Sequence, residues 1–251
     1  DTPGPMTRTI TDNAILLSAM SGRDTEDPAS DENAANDIAY WKNLDSESLS
    51  GKRFGVIKRF LADTVYAATV EKISNAGAVV VEIDPENADM KGFVDLLSAD
   101  MKIDLPVYLN KYGSKNISYR TVDEIVAFNL TDTVNYIPYG QGRFDHIVES
   151  NLTTEEHELL WQTLHQAGID YFEKPMTANN LDAILSANNW SAGVAAVAQY
   201  PCLTIPMGYT STGTPMGITM IAKPFEEQKL LKLGYAFEQL TNSRKIPVDY
   251  Q

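Results

Sequence analysis

Short apolar runs alternate along this chain with longer segments in which apolar residues recur at helical spacing. The short runs are rich in β-branched residues, as is typical of strands, and lie at residues 54–57, 78–83, 183–185, 203–207 and 216–221. The helical segments lie at residues 14–20, 64–76, 91–112, 121–130, 153–180, 191–199 and 226–240. This alternation predicts an α/β fold with a mixed, largely parallel sheet flanked by helices.

Local signals refine several of these elements. Strand 54–57, helix 64–76 and strand 78–83 follow one another closely, which predicts a βαβ unit with a parallel strand pair. Thr121 and Glu124 have the spacing of a capping box at the start of a helix.

The ends of the first helix and one long connection are also predicted from local signals. We expect residues 11–13 to supply the N-cap of the first helix and Gly22 to close it in the left-handed conformation. Residues 131–153 contain one proline and two glycines and are predicted to be irregular.

The charge and composition exclude several classes of function. The chain has 251 residues, 34 of them acidic and 20 basic, and a formal net charge of −14. Nucleic acid and anionic membrane surfaces are therefore not expected partners, and the sequence contains no apolar run long enough to span a membrane. No cofactor is expected, and the compartment stays open between cytoplasmic and secreted.

Cysteine and histidine residues give little sign of a metal or catalytic site. Cys202 is the single cysteine, so neither an internal disulfide nor a cysteine-based zinc site can form, and its apolar neighbours predict a buried, inert thiol. His157 and His165 are two helical turns apart and cannot share one ion, and no His-Glu-x-x-His motif is present. With His146 they are expected to be neither ligands nor catalysts, and no metal site is predicted.

The two ends of the chain resemble amidase signature hydrolases. Residues 1–12 read DTPGPMTRTITD and are similar to a family signature that follows the catalytic serine region, and residues 20–28 read MSGRDTEDP and continue that likeness. At the other end the similar segments are residues 199–208, 213–218 and 225–239. Residues 90–180 resemble only the peptide-amidase-like branch, chiefly through Ala127-Phe128-Asn129 and Tyr139-Gly140-Gln141.

The amino-terminal motif is expected to organise the backbone. Gly4 and Pro5 set a rigid turn, while Arg8 and Asp12, four residues apart, pair with each other or tie the helix start to a neighbouring loop. Asp1 belongs to the same structural motif.

The resemblance implies a mechanism whose reacting groups are absent from this sequence. In the family a serine attacks the amide carbonyl, a second serine relays its proton to a neutral lysine, and backbone N–H groups bind the oxyanion. No Gly-Gly-Ser-Ser-Gly-Gly run occurs here, so no catalytic residue is assigned. We expect residues 1–251 to be the carboxyl-terminal portion of a single amidase domain, inactive alone, whose catalytic amino-terminal half precedes Asp1.

Part of a substrate pocket is predicted to remain. Asn188, Asn189 and Trp190 follow a strand end, where open α/β sheets bind ligands, and their side chains suit a peptide-like amide. The alternative is an Asn-capped helix with a core tryptophan. Gln141, Phe128 and Asn129 are further candidates, and the alternative for them is that loop amides satisfy the backbone.

Two other functions stay open. One is a non-catalytic binding module derived from the same fold, and the other is the glutaminase component of a tRNA amidotransferase. The expected partner of the intact enzyme is a small-molecule or peptide amide. Without the missing half, bared sheet edge and apolar surface favour self-association.

Overall fold

The computed structural model describes residues 4–27, 30 and 38–247. The chain divides into two compact units. We call Asp1–Ala88 together with Gly168–Gln251 the sheet unit, and Asp89–Ala167 the helical unit. In the described part of the chain no helix is both long and apolar enough to span a membrane.

The described residues of the sheet unit form a five-stranded mixed sheet, which confirms the predicted fold class. The strands are β1 (Arg53–Ile57), β2 (Val79–Ile83), β3 (Ala183–Ala187), β4 (Cys202–Tyr209) and β5 (Pro215–Ile221). They lie in the order β2-β1-β3-β5-β4. β1 is parallel to both β2 and β3, as the βαβ prediction requires, whereas β5 is antiparallel to both β3 and β4.

The α-helices agree in most places with the apolar spacing of the sequence. They are α1 (Ile10–Met20), α2 (Thr64–Asn75), α3 (Phe93–Tyr112), α4 (Val122–Asn129), α5 (Thr133–Tyr136), α6 (Gly142–Glu149), α7 (Thr154–Asn179), α8 (Ala192–Ala198) and α9 (Glu227–Thr241). A short 3₁₀ helix, Lys58–Ala62, follows β1. The predicted capping box is confirmed: the Thr121 side chain accepts from the backbone N–H of Glu124, whose carboxylate accepts from Thr121 N–H.

Three expectations about local structure are wrong. The N-cap of α1 is Thr9, whose hydroxyl accepts from the backbone N–H of Asp12 at 3.0 Å, so the helix begins before the predicted cap. Its C-cap is the extended residue Ser21, and the following Gly22 has a φ of +140°, which is positive but far from the αL value expected of a helix cap. The segment 131–153 contains α5 and α6, because its proline and glycines fall between these helices or at the start of α6 instead of interrupting them.

Successive residues of β1 point to opposite faces of the sheet, and each face buries its own apolar cluster. Phe54 and Val56 belong to the cluster that includes Phe237 of α9. Ile57 belongs to the cluster that includes Phe172 of α7. Between Phe54 and Val56 the strand requires glycine at position 55, because an added Cβ would lie 2.5 Å from a Leu181 methyl group. Close packing on both faces therefore fixes the position of the central strands.

Candidate functional site

The end of β3 is shaped by Asn188, one of the predicted pocket residues. Its φ of +47° lies in the left-handed region, which asparagine tolerates better than most residues. Its side-chain oxygen accepts from Gly217 N–H at 2.8 Å, and its own N–H donates to the Gly217 carbonyl at 2.7 Å. The polar groups of Asn188 thus join β3 to β5, and this side chain is already engaged.

The two residues that follow Asn188 are presented to solvent. Asn189 is exposed, and 72% of Trp190 is accessible. The alternative of an Asn-capped helix with a core tryptophan is therefore wrong. Trp190 is exposed, and the N-cap residue of α8 is Ser191, whose side chain makes no cap bond. An exposed indole beside an exposed amide is able to contact a ligand.

The other three predicted residues come together in the helical unit. Asn129 Nδ2 donates to Gln141 Oε1 at 3.1 Å, and this bond joins the two ends of the segment that contains α5. The ring of Phe128 stacks on Tyr136, with centroids 4.7 Å apart, and also contacts Tyr119. Asn129 and Gln141 line an open recess of about 400 Å³ with Tyr139 and Arg143 among its other walls. The two groups of predicted pocket residues lie in different units.

The amino-terminal motif forms the start of α1 and one side of a second recess. Asn13 Nδ2 donates to the Pro5 carbonyl at 2.8 Å, which fixes the Gly4-Pro5 turn against the helix. Among the described residues no ion pair joins Arg8 to Asp12, so the pairing alternative is wrong. Asp1, assigned to the same motif, lies outside the described residues.

The second recess measures about 670 Å³ and brings distant parts of the sheet unit together. Gly4, Arg8 and neighbouring residues form one wall, the residues from Cys202 to Pro206 form another, and Glu238 and Arg244 complete it. Glu238 accepts from the Ile10 N–H at 3.0 Å, and burial raises the pKa of its carboxyl group. Sequence reasoning missed Glu238 and Arg244, because only folding brings α9 beside residues 4–10.

Three side chains that could act as nucleophiles, Cys202, Ser186 and Ser191, lack the surroundings of an activated group. Cys202 is an exposed residue, so the prediction of a buried position is wrong; desolvation of its sulfur nevertheless raises the pKa of the thiol to about 12. Ser186 and Ser191 are buried, and their hydroxyl oxygens lie 2.8 Å apart. A thiol with a raised pKa is a poor nucleophile, and so are two buried hydroxyls that, in the described part of the chain, bond each other but no lysine or histidine base.

Comparison with known proteins gives consistent results. The amidase family profile matches residues 1–186. A probable amidase of Arabidopsis thaliana is 28% identical over 260 residues, covering 98% of this chain and 50% of that protein. A glutamyl-tRNA(Gln) amidotransferase component of Levilactobacillus brevis is 26% identical over 278 residues, covering 96% of this chain and 55% of the relative.

A solved structure shows the same arrangement of helices and sheet. The X-ray structure of peptide amidase from Stenotrophomonas maltophilia has a TM-score of 0.89 at 28% identity, over 98% of this chain and 54% of that one. The chain therefore spans about half the length of the relatives it matches. The profile match and this shared fold together place the chain in the amidase signature family.

Proposed function

We propose that this chain is the carboxyl-terminal portion of a single-domain amidase that hydrolyses linear carbon–nitrogen amide bonds through a serine acyl-enzyme. The serine nucleophile, its relay serine and the lysine base belong to polypeptide that precedes Asp1. The 251 residues supply scaffold and part of the substrate recess, and alone they are inactive.

The observation that carries this proposal is the match to half of each relative, combined with a sequence that lacks the Gly/Ser-rich catalytic run. The chemistry of the described residues supports it. Ser186 and Ser191 are buried against each other, and the Cys202 thiol has a pKa of about 12. None of these groups is prepared to attack an amide carbonyl at neutral pH.

The proposed substrate is a small-molecule or peptide amide. The likeness to a peptide amidase supports this class. Two groups of residues are suited to contact it: the exposed Asn189 and Trp190 after β3, and the half-buried Asn129–Gln141 pair beside the Phe128 ring. Amide side chains satisfy peptide N–H and C=O groups, and aromatic rings contact apolar side chains.

A second candidate is the glutaminase component of a tRNA amidotransferase. The relative from Levilactobacillus brevis, 26% identical, favours it. The structural likeness to the solved amidotransferase component from Thermotoga maritima is weaker, with a TM-score of 0.57 at 16% identity, than that to the peptide amidase. The peptide-amidase-like function is therefore preferred.

The decisive experiment assays the purified chain and the product of its full reading frame in parallel. The substrates are a carboxyl-terminally amidated peptide and glutamine, with ammonia release as the measurement. We expect no turnover and no labelling of the 251-residue chain by a serine-directed acylating agent, and hydrolysis of the peptide amide by the longer product.

Three outcomes would contradict the proposal. Turnover by the 251-residue chain that the acylating agent abolishes places the nucleophile on it. A reading frame that starts near Asp1 supports a non-catalytic module instead. Preference of the longer product for glutamine favours the amidotransferase function.

A further inference from the structure

We propose that the open recess of the helical unit, lined by Asn129 and Gln141, binds one residue of an extended peptide. The backbone N–H of that residue donates to Asn129, its carbonyl accepts from Gln141, and a side chain of the peptide packs against Tyr139. This inference rests on the proposed function and deepens it, because it makes a peptide of several residues, rather than a small-molecule amide, the ligand of the recess.

The amide pair in the recess has hydrogen-bonding groups to spare. Asn129 Nδ2 donates to Gln141 Oε1 at 3.1 Å. A carboxamide has two N–H donors and an oxygen with two lone pairs. Within the part of the chain that the structure describes, this one bond leaves Asn129 Oδ1 free to accept and both N–H groups of Gln141 free to donate. Since both residues line the recess, a ligand in it meets an acceptor and a donor side by side.

The two amides are not used to satisfy the backbone of their own loops. Gln141 is the N-cap residue of α6, yet its side chain makes no cap hydrogen bond. At the end of α4, the Leu130 N–H donates to the Val126 carbonyl and the Thr131 hydroxyl donates to the Phe128 carbonyl. Local backbone groups are therefore satisfied without Asn129 or Gln141, and the pair keeps its capacity to bind a ligand.

The free acceptor and donor match the backbone of one extended residue. In a β-strand the N–H and C=O of the same residue point to the same side, which is how two opposed residues of antiparallel strands exchange a pair of bonds. A single trans peptide bond cannot satisfy both groups, since its N–H and C=O point in opposite directions. A primary carboxamide on a ligand side chain offers the same pattern, so these are the two sources of one ligand chemistry.

Aromatic rings form another wall of the recess. The Tyr139 side chain is completely exposed, and 48% of Tyr136 is accessible. Tyr136 stacks on Phe128 with centroids 4.7 Å apart, which holds its ring in place. Rings of this kind present apolar area to a ligand side chain at a low cost in conformational entropy. The wall therefore favours a ligand with an apolar side chain next to its polar backbone.

The rest of the recess favours an uncharged ligand segment. Gly140 and Gly142 flank Gln141, and a Cβ added at either would meet nothing within 4 Å, so a ligand has room to approach the backbone there. Arg143 is the one charged residue among the described walls. A single exposed guanidinium in a chain of net charge −14 makes a weak anion site, whereas the neutral groups of a peptide backbone suit the Asn129–Gln141 pair.

The test measures peptide binding to the product of the full reading frame by calorimetry. The probe is an N-acetylated pentapeptide of alanine and leucine whose terminal carboxamide is replaced by a CH2OH group, so that it carries no terminal amide to hydrolyse. We expect one-to-one binding. Asn129→Leu and Gln141→Met keep most of the side-chain volume but remove a hydrogen bond to the peptide, and each should weaken binding about tenfold.

Matched controls make the same substitutions elsewhere in the helical unit. Asn110→Leu and Gln162→Met, at exposed positions of α3 and α7, each remove one hydrogen bond within their own helix. Both should bind the peptide like the unaltered protein. Circular dichroism checks that every variant is folded.

A substitution at Tyr139 keeps the test decisive if the amide variants do not fold. Its side chain is completely exposed, so Tyr139→Ala removes a wall of the recess without opening a cavity in the protein. This variant should bind the pentapeptide at least about threefold more weakly. Tyr108→Ala, at an exposed position of α3, is its control and should bind like the unaltered protein.

Peptides methylated at one backbone nitrogen at a time identify the bound group. One of them should bind the unaltered protein about tenfold more weakly than the parent peptide, because methylation removes the N–H that donates to Asn129. The same peptide and its parent should bind Asn129→Leu equally, since the bond is already lost in that variant. Loss of affinity at every position by the same factor would contradict a specific backbone contact.

The outcomes separate this inference from the proposed function. Equal binding by all variants, or no peptide binding by a product that hydrolyses an amidated pentapeptide, overturns the peptide recess alone. Binding that depends on Asn129 and Gln141 in a product that hydrolyses no amide contradicts the proposed function and leaves the recess in place.

Two further results would assign the recess to another ligand. Tighter binding of a pentapeptide that contains glutamine, unaffected by backbone methylation, assigns it to a side-chain carboxamide and overturns the backbone contact. Inorganic phosphate that displaces the peptide from the unaltered protein but not from Arg143→Ala assigns it to an anion and overturns the inference.

Discussion

Different interactions stabilise the interior of the sheet unit and the interior of the helical unit. In the sheet unit, large side chains such as Phe54, Phe172 and Phe237 are completely buried on the two faces of the sheet. In the helical unit the buried apolar residues are fewer and mostly smaller: Leu96, Ala99, Val122, Ile147 and Leu164. Burial of apolar area therefore contributes much more to the first unit than to the second.

Polar contacts join the helices of the helical unit. Lys102 of α3 donates to the carbonyls of Val148 and Ser150, at 2.7 and 2.6 Å, where α6 ends. Asp100 of α3 contacts His157 of α7 at 2.6 Å. Such bonds add little net stability near solvent, so we expect the helical unit to open before the sheet unit does.

The largest expected effect comes from removing a buried ring of the sheet unit. Phe237→Ala leaves a cavity beneath α9 and should lower the free energy of unfolding by about 3–5 kcal/mol, measured by urea denaturation. Phe225→Ala is the matched control, because 76% of Phe225 is accessible, and it should change stability by less than about 0.5 kcal/mol. Similar losses in both variants would show that burial does not dominate this unit.

A smaller effect is expected from cutting the polar link in the helical unit. Lys102→Met removes both hydrogen bonds to the end of α6 and should destabilise that helix locally by about 1–2 kcal/mol. Hydrogen exchange of the α6 amides measures this loss. Lys115→Met, at an exposed position after α3, should leave the exchange unchanged. Unaltered α6 exchange in the Lys102 variant would mean that apolar contacts alone hold the helical unit.

The smallest effect should come from a substitution in the polar cluster of the sheet unit, in which Lys223, Thr177 and Tyr200 bond the carboxylate of Glu173. Lys223 Nζ lies 2.6 Å from Glu173 Oε1, and this bond, with those from Thr177 and Tyr200, lowers the pKa of Glu173 from 4.5 to about 2. Because the folded-state pKa is lowered, the contribution is present above pH 4.5 and is lost as the pH falls toward 2. Glu173→Gln should cost less than about 1 kcal/mol at neutral pH, since water screens the partly exposed carboxylate.

Denaturation at neutral and acidic pH measures this effect. The difference in unfolding free energy between the unaltered chain and Glu173→Gln should shrink as the pH falls below 4.5. Glu71→Gln, at an exposed position of α2, should show no such trend. A difference that stays constant down to low pH would show that the cluster acts through packing rather than charge.

Sequence reasoning succeeded where one local signal sufficed. The βαβ unit and the capping box at Thr121 both follow from apolar spacing and cap residues. It failed at α5, where the Asp132 side chain caps a helix of four residues, too short to show periodicity. It also misplaced Cys202, because apolar neighbours suggest burial for residues on both faces of an edge strand although one face of β4 is open.

The sequence by itself determined the family, the order of most helices and strands, and the absence of the Gly/Ser-rich catalytic run. These depend on residues near each other along the chain. Only the tertiary structure decided that Asn188 joins β3 to β5, that Trp190 is exposed, and that Arg8 and Arg244 share a recess. The physical reason is that burial and charge pairing depend on which distant segments meet, and spacing along the chain does not encode that.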